Sequence, residues 1–251
     1  GFGIWNTDLD GNYQTGMAVN NVQIGAYENL FAEDLNGNGI LDSLRTIESF
    51  GTTSVKVDLN GGYAFSSEKG VQLLQLNGQQ VSENFAGSWN VVGAQDTVTG
   101  YQVIWKESVT GANGYWNTDA SGNYLASKVI DGSQLQAFET SFQQDLDASG
   151  TGTLDPITNQ MVDGLTAVEE VGSASLLQQD NGGYVIDGAN GIQFLNYQGT
   201  QVTPGFASDW TLNGVETQGS GYAANWTRNS DQQTGTWSTN STGDYLSAAL
   251  G

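Results

Sequence analysis

Apolar residues recur three to four positions apart at Ile24, Tyr27 and Phe31, and again at Leu135, Phe138 and Phe142. That period places each set on one stripe of an α-helix. The polar residues ahead of each stretch, Asn20 or Asn21 and Asp131 or Ser133, are fitting N-caps. Beyond the helices, apolar and polar positions alternate over short runs broken by Asn-Gly, Asp-Asn-Gly-Gly or Thr-Gly, which supply the positive backbone angles of tight hairpins. In the first half the predicted strands cover 54–59, 63–66, 71–76, 79–82, 88–92, 101–106, 115–118 and 123–127. The second half repeats them 121 positions on, as at Gly191-Ile-Gln-Phe-Leu-Asn-Tyr197. Strand after strand joined by short turns predicts an antiparallel meander or sandwich with one helix over a face or end, an α+β class dominated by β.

The same rhythm appears in the tryptophans. Trp89, Trp105 and Trp116 are 16 and 11 apart, and Trp210, Trp226 and Trp237 repeat that spacing. Gly114-Tyr-Trp-Asn-Thr-Asp-Ala-Ser-Gly-Asn-Tyr124 is answered by Gly235-Thr-Trp-Ser-Thr-Asn-Ser-Thr-Gly-Asp-Tyr245, and Gly3-Ile-Trp-Asn-Thr-Asp-Leu-Asp-Gly-Asn-Tyr13 is a third copy. Internal repetition of this kind marks arrays. The terminal hairpin of each copy belongs with the sheet before it, so the expected division is two tandem homologous modules, 17–126 and 127–251. Residues 1–16 are then a surplus hairpin of a preceding unit. A two-stranded hairpin is barely stable alone in water, so this one either caps its neighbour or completes a sheet in another molecule. The repeated tryptophans read as core anchors of the sheets rather than a stacking platform for sugars.

After the first helix comes Asp34-Leu-Asn-Gly-Asn-Gly-Ile-Leu-Asp42. Oxygen side chains at alternate positions of a tight loop point inward, glycine permits the sharp turn, and hard cations want six to eight oxygens. Asp34, Asn36, Asn38, the carbonyl of Ile40, and Asp42 are therefore candidate calcium ligands. The usual glutamate at position twelve is replaced by Arg45, so another acid, Glu33, Asp42 or Glu48, has to close the shell. In the second module the loop is Asp145-Leu-Asp-Ala-Ser-Gly-Thr-Gly-Thr-Leu-Asp155, with Asp145, Asp147, Ser149 and Asp155 as candidates and a ten-residue insertion before Asp163. The turns at 8–12, 119–123 and 240–244 also gather oxygens, but tight turns favour those residues for backbone reasons.

Composition narrows the function. Six basic residues against 27 acidic ones give a net charge of −21, which repels nucleic acid and anionic lipid and attracts divalent cations. With no cysteine and no histidine, thiol chemistry, disulfides and the usual zinc and copper sites are excluded. No apolar run is long enough to span a membrane. Neither a nucleophile elbow nor a phosphate-binding glycine loop occurs. Glu107, or Glu169 with Glu170, could serve a glycoside hydrolase only if two carboxylates faced each other across a cleft; the expectation is a protein that is not an enzyme.

Tyr101-Gln-Val-Ile-Trp-Lys106, the Gly114–Ser127 phrase and Glu139-Thr-Ser-Phe-Gln-Gln-Asp-Leu-Asp147 together resemble a repeat of very large secreted cyanobacterial and proteobacterial proteins. Those repeats often stand beside haemolysin-type (RTX) calcium-binding segments in surface-layer, adhesive or filament proteins. The resemblance covers nearly the whole chain, twice. It implies calcium at Asp34, Asn36 and Asn38 and at Asp145 and Asp147; Ser149 departs from its acidic pattern, and it supplies no catalytic residues. The expected protein is extracellular or cell-surface, calcium-stabilised and self-associating end to end through strands or hairpins. The alternative is a polysaccharide-binding adhesion module.

Overall fold

The computed structural model describes residues 1–39, 42, 44–83, 85, 87–150, 153–154 and 161–251. It is β-dominated, with several antiparallel sheets and two helices among the described residues. It divides into two compact units, 1–125 and 126–251.

The first unit begins with a hairpin of β1 (Phe2–Thr7) and β2 (Tyr13–Val19), followed by α1 (Asn21–Phe31). Asn20 caps the helix: its side chain accepts Gln23 N at 2.9 Å while Gln23 Oε1 accepts Asn20 N at 2.9 Å. Then come β3 (Arg45–Glu48), β4 (Ser54–Val57), β5 (Tyr63–Ser67) and β6 (Gly70–Leu73), hydrogen-bonded in that order. A short pair, β7 (Gln75–Leu76) and β8 (Gln79–Gln80), leads to a second sheet of β9 (Trp89–Asp96), β10 (Gly100–Glu107), β11 (Asn113–Asp119) and β12 (Tyr124–Ile130). The unit boundary falls inside β12.

Strand alternation builds three layers from this chain. Val55, Val57, Tyr63 and Phe65 of the first sheet join Val91, Val103 and Trp105 of the second in one buried cluster. Ala64, Val71 and Leu73 join Val19, Ile24, Ala26 and Tyr27 in another, against which Phe2, Ile4 and Met17 pack. The first sheet is thus buried on both faces. The predicted strand 71–76 breaks at Leu74 for this reason. Leu73 serves the helix side and Leu74 the sandwich core, and Leu74 N turns to bond Tyr63 O at 3.0 Å.

The second unit opens with α2 (Gly132–Phe142), where Asp131 and Gln134 form a capping box. The short pair β13 (Thr153–Leu154) and β14 (Met161–Val162) follows, then a sheet of β15 (Thr166–Glu169), β16 (Ser175–Gln178), β17 (Tyr184–Gly188) and β18 (Gly191–Phe194). After the pair β19 (Asn196–Tyr197) and β20 (Thr200–Gln201) comes a sheet of β21 (Trp210–Gln218), β22 (Gly221–Arg228), β23 (Thr234–Thr239) and β24 (Tyr245–Leu250). Its core again joins the two sheets, through Leu176, Ile186, Leu212, Ala224 and Trp226.

Two expectations need correction. Leu135, Phe138 and Phe142 are all buried in α2, whereas Phe31, expected on the same stripe of α1, is 59% exposed. In the second unit β14 lies against α2. The strand β3 was not foreseen because Arg45-Thr-Ile-Glu48 carries a single apolar residue.

Glycine at the hairpin tips reads out packing. Gly11, Gly122 and Gly243 all have positive φ, 84°, 80° and 80°. A Cβ on Gly122 would lie 2.2 Å from Leu73 O and one on Gly243 2.1 Å from Phe194 O, whereas Gly11 meets nothing within 4 Å. Alanine at any of the three bears the left-handed penalty of about 1–2 kcal/mol. We expect Gly122→Ala to lose on the order of 3 kcal/mol and Gly11→Ala about 1 kcal/mol, measured by urea unfolding.

Burial pushes the carboxyl of Glu48 up to about 7 from 4.5, against hydrogen bonds from the Phe50 and Ala94 amides. A carboxyl with a raised folded pKa favours the fold when protonated. Its contribution is complete below pH 4.5 and is lost as pH rises through 7. Glu48→Gln should flatten that decline in a series of unfolding midpoints from pH 4 to 8.

Candidate metal centre

The loop after α1 is organised by a residue of the helix. Glu28 stands one position after Tyr27 on the buried stripe and is fully buried. Its carboxylate accepts Asn36 N at 3.1 Å through one oxygen and Asp42 N at 2.8 Å through the other. A buried carboxylate is costly unless hydrogen-bonded, and here two backbone donors from opposite ends of the loop meet that need. Asp34 closes the turn itself: Oδ1 accepts Gly37 N (2.7 Å) and Asn38 N (3.1 Å), and Oδ2 accepts Gly39 N (2.7 Å).

Asp42 is 8% exposed, and Gly25 of α1 leaves room for it, since a Cβ there would fall 2.4 Å from Asp42 Oδ2. That oxygen accepts the side-chain amides of Asn36 at 3.0 Å and Asn38 at 3.2 Å. The other, Asp42 Oδ1, is buried without a hydrogen-bond partner. Asn36, Asn38 and Asp42 line a cleft of about 240 Å³ together with Asn21, Asp58 and Asn60. Of the expected ligands, Asp42, Asn36 and Asn38 therefore converge, Asp34 sits at the base of the turn, and Ile40 lies outside the described residues.

In the second unit Glu139 takes the part of Glu28. Fully buried, it accepts Leu146 N at 3.0 Å and Asp147 N at 3.2 Å on one oxygen and Asp163 N at 2.9 Å on the other. Burial raises its carboxyl to about 7 despite those donors. Glu139, Asp145 and Asp147 each bring a carboxylate oxygen within 4.8 Å of the others. Burial works to raise the Asp147 carboxyl, but hydrogen bonds, chiefly from Ser149 and Gln136, outweigh it and leave the pKa lowered. Ser149 gives its amide to Asp145 at 3.1 Å and to Asp147 at 2.7 Å. Asp155 lies outside the described residues. The residue whose amide stands where that of Asp42 does is Asp163, across the insertion.

Sequence reasoning passed over Glu28, Glu139 and Asp163. The first two carried a signal, an acid on the apolar stripe of each helix at the same place, after Tyr27 and after Phe138.

Residues 52–152 match the family described as tryptophan-rich Synechocystis species C-terminal domain. The matched span, under half of the chain, starts between β3 and β4 and ends in the acidic loop after α2. It therefore includes Trp89, Trp105, Trp116 and Glu139. No curated protein matches the chain. Among solved structures, the computationally designed Ika8 protein is 13% identical over 82% of this chain and 48% of its own, with a TM-score of 0.19. Human WBSCR16 is 12% identical over 84% and 50%, with a TM-score of 0.18. The chain spans about half the length of these structures, and scores this low say nothing of its fold.

The tryptophans sort by depth. Trp105 and Trp226 are buried, at 3% and 5% exposure. Trp116 stacks between Trp105 (4.9 Å) and Tyr124 (4.8 Å), and Trp237 between Trp226 (4.9 Å) and Tyr245 (4.9 Å), with the same angles of 45° and 70°. Each such pair contributes about 0.5–1.5 kcal/mol beyond its area. Glu107, weighed above as an acid, instead accepts Val109 N at 3.1 Å and the Thr110 hydroxyl at 2.6 Å. Hydrogen bonds from Ser88 and Thr110 hold its carboxyl down at about 2, too acidic for a general acid at neutral pH. Glu169 likewise accepts the Val171 amide.

Removing the helix acid should release the loop. Glu28→Ala leaves the amides of Asn36 and Asp42 without their acceptor, at a cost of about 2–4 kcal/mol. Chemical denaturation reads that loss, and hydrogen exchange should show the unprotected amides confined to 34–42.

Proposed function

We propose that this chain is an extracellular structural protein: two tandem homologous modules, each a β-sandwich with one helix and a calcium loop, from a surface layer, adhesin stalk or filament. The observation that carries this reading is Asp42 Oδ1, a buried carboxylate oxygen with no hydrogen-bond partner beside two side-chain amides in a cleft. A hard cation there takes oxygen from Asp42 and, once the amides of Asn36 and Asn38 turn about their Cγ bonds, from their carbonyl groups too. Whether nitrogen or oxygen faces inward is a choice the surrounding network makes. In the second module Glu139, Asp145 and Asp147 offer the cation a more acidic set. Calcium suits all-oxygen ligands and is abundant outside cells.

The ion would lock each acidic loop to its helix and stiffen the array, with net charge −21 favouring its capture. On this reading the modules assemble end to end through strands or hairpins. The reading assigns no catalysis. A second reading, binding to polysaccharide, draws on a cleft of about 270 Å³ in the second unit lined by Trp210, Trp226 and Trp237. Apart from Thr236 its walls are almost wholly apolar side chains, whereas a sugar site needs several convergent polar groups.

At calcium 100-fold above Kd the stabilisation is about 2.7 kcal/mol, or roughly 5–10 °C in Tm for a chain this long. We expect that rise over the value in EDTA, reduced by Asp42→Asn and by Asp147→Asn. Equal Tm values with and without calcium, or a rise caused by soluble glycans instead, would count against the reading.

A further inference from the structure

The hairpin β1–β2 has two counterparts in the same molecule, and they show what it lacks. In β11 and β23 the outer edge is covered. Val103 pairs with Trp116 and Trp105 with Gly114, and in the same register Ala224 pairs with Trp237 and Trp226 with Gly235. Tyr101 N bonds Thr118 Oγ1 at 3.2 Å, and Tyr222 N bonds Thr239 Oγ1 at 3.1 Å. The tips are covered as well, for Gln75 N bonds Gly122 O at 2.9 Å and Asn196 N bonds Gly243 O at 3.0 Å. Gly3, Trp5, Thr7 and Gly11 stand at the matching places of the first hairpin. Trp5 is 76% exposed and packs on Tyr13 at 5.6 Å; Thr7 is exposed where Thr118 and Thr239 are buried; and Gly11 is open. The opposite face of this hairpin is already engaged, through Phe2, Ile4 and Met17.

We infer that the outer edge of β1 docks an antiparallel strand of the pattern Tyr-x-x-x-Trp from another module of this type, Thr7 opposite its Tyr and Gly3 opposite its Trp. That tryptophan would stack on Trp5 as Trp105 does on Trp116, and the turn at Gly11 would close on the partner's backbone as Gly122 does on Leu73. An intact second copy of this chain is not the occupant. Its own strands of this pattern, β10 and β22, are paired on both sides. The donor is a module with β9- and β10-type strands but without its closing hairpin. This names the partner in the assembly part of the proposed function and rests on that part alone; calcium has no role in it.

The test repeats residues 20–112 ahead of Phe2, which offers the edge in cis at high effective concentration, and follows hydrogen exchange of residues 2–7 in calcium and in EDTA. Docking slows those amides roughly 100-fold relative to the unextended chain, and changing the added copies of Tyr101 and Trp105 to Ala abolishes the effect. An added segment whose own β10 amides are protected while β1 exchanges at the unextended rate overturns the inference. If the added segment fails to fold, a peptide of residues 88–107 is titrated into the native chain to about 1 mM, and the absence of saturable protection at β1 overturns it equally. So does concentration-dependent protection of β1 in the native chain alone, which would make a second copy the occupant. A calcium-independent Tm with β1 protected would remove the calcium reading and leave this one standing.

Discussion

A buried glutamate on each helix, satisfied by backbone amides of the loop that follows it, is the constraint on which the rest of this structure depends. Glu28 and Glu139 each reach both ends of their loops. A carboxylate at such depth is tolerated only because those donors are aimed at it. The consequence runs in both directions: the loop keeps its acids close to the helix, and the helix is held in register with the loop. In the first unit α1 and β1–β2 also cover the outer face of the sheet β3–β6, so the loop clamp and the three-layer core are one cooperative arrangement.

Much of the fold was readable from period alone. The two helices and most of the long strands follow from spacing, because helix and strand differ in how often they face the core. The break at Leu74 was not readable, since two successive leucines on a doubly buried sheet look like one uninterrupted apolar run. The exposure of Phe31 was hidden for a different reason: its counterpart Phe142 is buried, and the same apolar spacing in two copies does not reveal how deeply each is covered.

The candidate site was legible in part. Alternating oxygens and glycine pointed to Asp34, Asn36, Asn38 and Asp42, and to Asp145 and Asp147, because loop geometry dictates those types. The motif could not tell which acid closes the arrangement. Glu28 and Glu139 act from the helix through backbone amides, and the amide of Asp163 takes the place of that of Asp42 only after an insertion that shifts the alignment. An acid repeated at one position of an otherwise apolar stripe is the signal that would have found the first two, since an unpaired charge there would destabilise the core.

The central claim is that these clamped loops hold a cation. Crystals grown in calcium and soaked in terbium, measured for anomalous scattering, test it most directly. The account predicts a peak within bonding distance of Asp42 Oδ1, with the carbonyl oxygens of Asn36 and Asn38 turned toward it, and a second among Glu139, Asp145 and Asp147. A map without either peak, with Asn36 and Asn38 still donating to Asp42, would contradict it.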